Sequence, residues 1–369
     1  MRPSLHRPAT VDINMTNLRT NLRNEINSVP KGTAVFAVVK ANAYGHGLLQ
    51  VAKAEIGNGA SGLCVATLDE GLEIRDSGIV APILVLGITP EKYAEVANKA
   101  DISLTVGSLE WLKNVVSQNI YQLKVHIGVD SGMGRIGFRN HDDLVEACDF
   151  LRDHPESFIP EGLFTHFSTA DNPDKKYFEK QVKRFNEIKA DLPVEFKYVH
   201  CANSATALWH RDLAINMVRY GIALYGLNPS QTDIPETPYK LEPVLSLHSE
   251  LVFVKEVPAG ESIGYGATYT TSGDEWIGTV PMGYADGWLR RMQGADVLID
   301  GVRCPIVGRV CMDQFMVKLP HKLPVGQKVT LIGRDGNDEI TTTDVAKYAN
   351  TINYEILCCL SERLPRFYH

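Results

Sequence analysis

Residues 34–66 read AVFAVVKANAYGHGLLQVAKAEIGNGASGLCVA. An apolar run closes on Lys40; Leu48, Leu49, Val51, Ala52 and Ile56 then recur on one helical face, and a second apolar run, LCVA, follows at 63–66. Continuous apolar strands joined by an amphipathic helix make a parallel βαβ unit whose sheet is covered by helices. The alternation continues through ILVLG (83–87), ISLTV (102–106), KVHIGV (124–129), GLFTHF (162–167), KYVH (197–200) and NMVRY (216–220), which brings the strand candidates to eight. A further helical face, Tyr177, Phe178, Val182, Phe185 and Ile188, lies between the sixth and seventh. Eight such units predict an α/β fold of the closed (β/α)8 TIM-type barrel kind, with an open doubly wound sheet as the alternative.

Upstream of this block, Leu18, Leu22, Ile26 and Val29 mark a helix ended by Pro30, so the N-terminal extension is expected to be helical and to pack on the barrel. Downstream, NPSQTDIPETPYKLEP (228–243) carries four prolines and reads as a domain boundary. Beyond it the strands LSLHSELVFVKEV (245–257), WIGTVPMGY (276–284), DVLIDGVRCPIVGRVCMDQFMVKL (296–319) and KVTLIG (328–333) are separated by glycine turns such as Asp300-Gly301. That texture is an antiparallel β-domain. The expected division is a barrel over residues 1–240 and a second, smaller C-terminal β-domain over 241–369.

A length of 369 residues suits more than one compact unit, and 44% hydrophobic with 22% charged residues is ordinary globular usage rather than that of a disordered or fibrous chain. Lys and Arg number 37 against 44 Asp and Glu, leaving a formal charge of −7 with no basic run. Nucleic acid and anionic membranes are therefore poor partners, and a small-molecule substrate is expected. The cysteines at 64, 148, 201, 304, 311, 358 and 359 are odd in number and have neither C-x-x-C nor zinc-ligand spacing, which points to reduced thiols and no metal. The opening MRPSLHRPATVDIN has no apolar core of a signal peptide, so a cytoplasmic location is expected.

In a barrel, chemistry is done by polar residues at the carboxyl ends of the strands. Lys40, Asp130, His166, His200 and Arg219 all fall there. Asn203 and Ser204 follow strand seven just before a helical run, and Gly221 follows strand eight, where backbone N–H groups can approach an anion. A phosphorylated ligand is favoured. Gly57, Gly59 and Gly62 match a dinucleotide fingerprint but follow a helix and precede a strand, the wrong context, and Gly132, Gly134 and Gly137 come at the fifth strand rather than the first. Lys40 at a strand end beside a phosphate site is what a Schiff-base cofactor requires, since a buried amine sheds its proton more readily. Pyridoxal phosphate meets both needs.

The motifs AVVKANAYGHG (37–47), DSGMGRIG (130–137), THFSTAD (165–171), HCANSA (200–205), VRYGIALYGLNPS (218–230), YGATY (265–269), PMGYADGW (281–288), PIVGRVCMDQ (305–314) and TINYE (351–355) resemble, in order and over essentially the whole chain, those of the bacterial alanine racemases. The resemblance implies a pyridoxal 5′-phosphate enzyme that interconverts L- and D-alanine and supplies D-alanine for peptidoglycan. It also implies a head-to-tail homodimer whose active sites draw on both chains. By that resemblance Lys40 is the Schiff-base lysine and the base for the D-alanine α-proton, and Tyr265, from the partner subunit, is the base for the L-alanine α-proton. Free phenols, with pKa about 10, are poor bases at neutral pH, so the tyrosine's role rests on the resemblance alone.

Arg219 matches the residue facing the cofactor's pyridine nitrogen, and His166 the one that orients it. An arginine keeps its proton, which leaves the ring nitrogen unprotonated and the ring a weaker electron sink. Tyr44, Ser204, Gly221, Ile222 and Tyr354 resemble phosphate ligands; Arg135 and Met312 resemble substrate contacts; Asp171, Tyr284, Arg290, Arg309 and Ile352 resemble an entry corridor. One departure stands out: many family members carry a lysine, often carbamylated, where this chain has Gly128, so Arg135 needs another partner, such as an anion or ordered water. Rival readings are a broad-specificity racemase, a barrel decarboxylase of basic amino acids, and a non-catalytic pyridoxal-phosphate-binding barrel. The last lacks a second domain.

Overall fold

The computed structural model describes residues 3–369, in two compact units. One comprises residues 17–43 and 47–242; the other comprises the N-terminal residues to Thr16, Tyr44–His46 and Pro243–His369.

The first unit is the barrel. Its strands are Ala34–Val38, Gly62–Val65, Ile83–Ile88, Ser103–Val106, Leu123–Gly128, Phe158–Phe164, Tyr198–His200 and Met217–Tyr220; the first seven pair in parallel, each with the next, and the first also pairs with the eighth. Every one of the eight apolar runs is a strand. The circle is completed between the seventh and eighth by a lone parallel bridge of Ala202 to Val218, where the Arg219 N–H donates to the Ala202 carbonyl at 3.0 Å. Strands such as Gly62–Val65 and Ser103–Val106 are buried along their whole length, as a sheet covered on both faces requires.

Helices start and stop where side chains satisfy their free ends. Thr67 and Glu70 form a capping box on Leu68–Asp76, and Ser108 and Asn140 cap Leu109–Val116 and His141–Asp153. Helix Leu48–Asn58 ends at Gly59 in the left-handed region, φ +108°, which explains the misplaced glycine pattern at 57–62. In helix Lys176–Ile188, Phe178, Phe185 and Ile188 face the core as expected, but Tyr177 is exposed and Gln181 takes the buried place. The N-terminal helix runs Met15–Ser28; buried Asn21 donates to the carbonyls of Leu224 (3.0 Å) and Glu242 (2.8 Å), tying the unit's beginning to its end.

The second unit is built on a mainly antiparallel sheet. The Asp300-Gly301 turn, with φ of +54° and +73°, closes the hairpin Asp296–Ile299 to Val302–Val307, because two residues with positive φ match the twist of the flanking strands. Here the expected division needs correction. Residues 9–13 are not part of a helical extension: Ala9–Ile13 is a strand of this sheet, antiparallel to Leu245–Glu250 and parallel to Arg366–Tyr368, so a single cut near residue 240 does not separate the units. Its alternating burial is the period-two pattern of a half-buried strand, too short to stand out before a helix. Arg7 nearby donates to the buried Asp286 through Nη1 and Nη2, at 2.8 and 2.5 Å.

Gly45, within Tyr44–His46, has φ +81°, and a β-carbon there would stand 2.2 Å from the Leu357 carbonyl oxygen. Arg366 Nε donates to the Gly45 carbonyl at 2.6 Å. Gly45→Ala is expected to cost at least ~2 kcal/mol, from the left-handed backbone and the forced shift of a carbonyl. A urea titration monitored by circular dichroism checks this, and an unchanged midpoint contradicts it.

Candidate active site

Lys40 lies two residues beyond the first barrel strand, and the four residues after it do something no glycine announces. Ala41, Asn42, Ala43 and Tyr44 all have φ between +51° and +54°, a single left-handed helical turn. Such geometry costs an L-residue about 1–2 kcal/mol, so it persists only where surroundings fix it. Glu70 does much of this: its carboxylate accepts the Ala41 N–H at 2.7 Å through Oε1 and the Ala66 N–H at 2.8 Å through Oε2. Asn42 closes the turn, its carbonyl accepting from Gly47 N–H (2.9 Å) and its side chain from Leu48 N–H (2.8 Å).

Arg219 is buried on the eighth strand, which pairs with the strand that leads to Lys40. Its Nη1 donates to His200 Nδ1 in a short contact; its Nη2 donates to the Thr165 carbonyl at 2.9 Å and approaches His166 Nδ1 at 3.4 Å. His200 and Thr165 are thus its nearer partners and His166 a third. Phe164 stacks on His200, centroids 5.1 Å apart, and the guanidinium lies 5.5 Å from the Phe164 ring. Burial, then the positive charges of Arg219, Arg135 and Lys40, hold the His166 pKa down at about 3, so the ring is neutral. A β-carbon on Gly128 would meet the Phe164 ring at 3.4 Å, so that ring occupies the ground beside the glycine.

Ser204 heads the short helix Ser204–Trp209, capped by Asn203. Its buried hydroxyl oxygen accepts from Gly221 N–H at 2.9 Å and Ala223 N–H at 3.3 Å. Both lone pairs are used, which leaves the hydroxyl proton to donate. Ile222 is buried beside it at the start of a 3-10 turn. Asp130 plays a different part from its strand-end neighbours: Oδ1 accepts from Gly132 N–H (3.0 Å) and Gly134 N–H (2.9 Å), bracing the loop that carries the exposed Arg135. Asp171 has its pKa raised by burial, with Asp233 adding to the effect.

The remaining named residues belong to the second unit. Tyr44 and Tyr354 rings lie 6.2 Å apart, with Ile352 as the residue preceding the helix Asn353–Cys359 that carries Tyr354. Tyr284 and Met312 are held in adjoining loops, since Tyr284 N–H donates to the Cys311 carbonyl (3.1 Å) and Ala285 N–H to the Met312 carbonyl (3.0 Å). Arg290 acts electrostatically on Cys311, and the Arg309 guanidinium lies against Gly266, next to Tyr265. Tyr265 is 70% exposed and Met312 53%. Burial pushes the Cys201 thiol up to about 12, the state of an unreactive packing residue.

Sequence reasoning misses three participants: His126, Glu161 and Ser103, all buried inside the barrel and linked to Arg219 through His200. A polar residue interrupting an apolar parallel strand is the available signal.

Residues 13–229 match the family profile "Alanine racemase, N-terminal domain", and residues 244–368 match "Alanine racemase, C-terminal domain". The alanine racemase of Ligilactobacillus salivarius is 56% identical over 366 residues, 98% of each chain. Among solved structures, the alanine racemase from E. faecalis superposes with a TM-score of 0.98 at 50% identity over all of both chains. A histidine racemase from Leuconostoc mesenteroides superposes at 0.93 with 35% identity, again over both whole chains. Matched by both family profiles and by relatives of this identity along its full length, the chain belongs to the alanine racemase family.

Proposed function

We propose that the chain interconverts L-alanine and D-alanine, with pyridoxal 5′-phosphate as cofactor and with two copies of the chain completing each active site. The observation that carries the reading is Lys40 and Arg219 at the carboxyl ends of paired barrel strands, one and eight, with a serine hydroxyl whose proton is left to donate. Those residues fit the cofactor. Lys40 supplies an amine, the Ser204 hydroxyl proton with the Ile222 backbone suits a phosphate, and Arg219 has its Nε–H, which makes none of the bonds to His200, Thr165 or His166, to offer a ring nitrogen. When bound, the cofactor supplies a carbonyl for the lysine or substrate amine and a conjugated ring that draws electrons from the substrate's α-carbon.

The chain's own work is to place groups and move protons. Arg219 cannot surrender its proton, so beside a pyridine nitrogen it would keep that nitrogen an acceptor and limit electron withdrawal, which would disfavour transamination. Inversion then requires a base on each face of the α-carbon, one removing the proton and the other returning it opposite. Lys40 Nζ serves one face, and Tyr265 of a second copy serves the other. The exposure of Tyr265, Met312, Tyr284 and Ile352 on the second unit supports a partner chain that covers them. Arg135 suits the substrate carboxylate, to which a guanidinium fork donates twice. No helix among the described residues is long and apolar enough to cross a membrane, and a cytoplasmic role supplying D-alanine to peptidoglycan accords with the reading.

Purified protein incubated with L-alanine in deuterium oxide is expected to yield D-alanine deuterated at the α-carbon; no D-alanine refutes the reading. L-Serine and L-histidine run in parallel decide between strict and broad specificity. Lys40→Ala is expected to lose the visible absorbance of covalently held cofactor. Tyr265→Ala keeps that absorbance and the exchange of the D-alanine α-hydrogen, while L-to-D conversion falls roughly a hundredfold or more. Normal racemisation by Tyr265→Ala removes the two-base assignment.

A further inference from the structure

The hydrogen-bond acceptors around Arg219 are all uncharged: His200 Nδ1 and carbonyl, Thr165 carbonyl and His166 Nδ1. A guanidinium only donates, so His200 Nδ1 must present a lone pair and its ring proton sits on Nε2. That nitrogen is 2.9 Å from His126 Nδ1, which must therefore accept, placing the His126 proton on Nε2. His126 Nε2 in turn is 3.2 Å from Glu161 Oε2, which also accepts from Ser103 Oγ at 2.5 Å. Between a donor-only end and an acceptor-only end, one pattern of protons satisfies every contact. Arginine, two neutral imidazoles and a carboxylate run in a single direction.

All members are buried, and the barrel makes room for them. Gly162 pairs with His126 across adjacent strands, and a β-carbon on it would fall 2.2 Å from His126 Nδ1. Burial lowers the pKa of both imidazoles, keeping them neutral despite the carboxylate. Burial also pushes Glu161 up, but the bonds from His126 and Ser103 prevail and bring it to about 2, so the chain ends on an anion.

We propose that Glu161 is a positioning residue for Arg219: by demanding a donor from His126 it locks both histidine tautomers, which keeps His200 Nδ1 open to the guanidinium. Without Glu161, the His126 Nε2–H is a buried donor with nothing to meet. Moving that proton to Nδ1 relieves it but points N–H at N–H toward His200. His200 can answer only by shifting its own proton to Nδ1, where it repels Arg219. The consequence for catalysis rests on the reading that Arg219 faces the cofactor ring; the tautomer pattern does not.

Holoenzyme with 15N-labelled histidine, observed by side-chain NMR, tests this for wild type, Glu161→Gln and Glu161→Leu. In the wild type His126 and His200 are expected to be neutral and protonated on Nε2; either one protonated on Nδ1, or on both nitrogens, overturns the proposal before any variant is made. Glu161→Gln retains an acceptor oxygen and is expected to keep both tautomers. Glu161→Leu is expected to move His126 toward the Nδ1–H form and to lower kcat roughly tenfold, the effect of one lost hydrogen bond to a charged group, with little change in KM. Unchanged tautomers in Glu161→Leu, or their equal loss in Glu161→Gln, sinks it. A protein that racemised nothing would overturn the proposed activity while leaving the NMR test of the proton pattern intact.

Discussion

A guanidinium that cannot be neutralised is buried inside this barrel, and much of the interior is arranged around that constraint. Burying a charge is tolerable only when every donor it carries is met and its field is answered. Here strands four to eight each contribute, through Ser103, His126, Glu161, His200 and Arg219 itself. The countercharge is kept two imidazoles away instead of in contact. The two imidazoles and two carbonyls around the guanidinium take up its Nη N–H groups without bringing a second charge into contact with it. The apolar Phe164 ring beside His200 and Gly128 further reduces competition from water.

Backbone crowding sets the second condition. Gly162 admits the His126 ring, Gly62 faces the Phe36 ring where a β-carbon would come within 2.5 Å, and Gly45 meets a carbonyl. These glycines matter for what lies against them. In the first two the backbone is ordinary strand, so the requirement is purely one of volume. The polar chain through the barrel and the packing of its strands are therefore one problem, solved by alternating a large side chain with none.

The barrel was legible because parallel strands buried on both faces must be apolar throughout, and eight such runs in succession, separated by helical segments, leave few architectures. Lys40, His166, His200 and Arg219 were legible because they break that rule at strand ends. His126 and Glu161 break it in mid-strand, where a polar residue has no position-based meaning until its neighbours are known. Asp130 sat at a strand end yet braces a loop, so position alone misleads there too. The N-terminal strand Ala9–Ile13 escaped because its period-two pattern lasts only five residues and its partners lie more than two hundred residues away. Tyr265 could be named only from the resemblance, since an exposed tyrosine between glycines carries no signal of its own.

The turn after Lys40 has a stereochemical corollary. Ala41 and Ala43 adopt the mirror image of the right-handed helix, a shape whose natural occupant is the opposite enantiomer. Were the chain assembled by chemical ligation with D-alanine at those two positions, the local strain would fall by about 1–2 kcal/mol at each. Handedness, the property this family exists to exchange in its substrate, is written into the fold's own backbone beside Lys40.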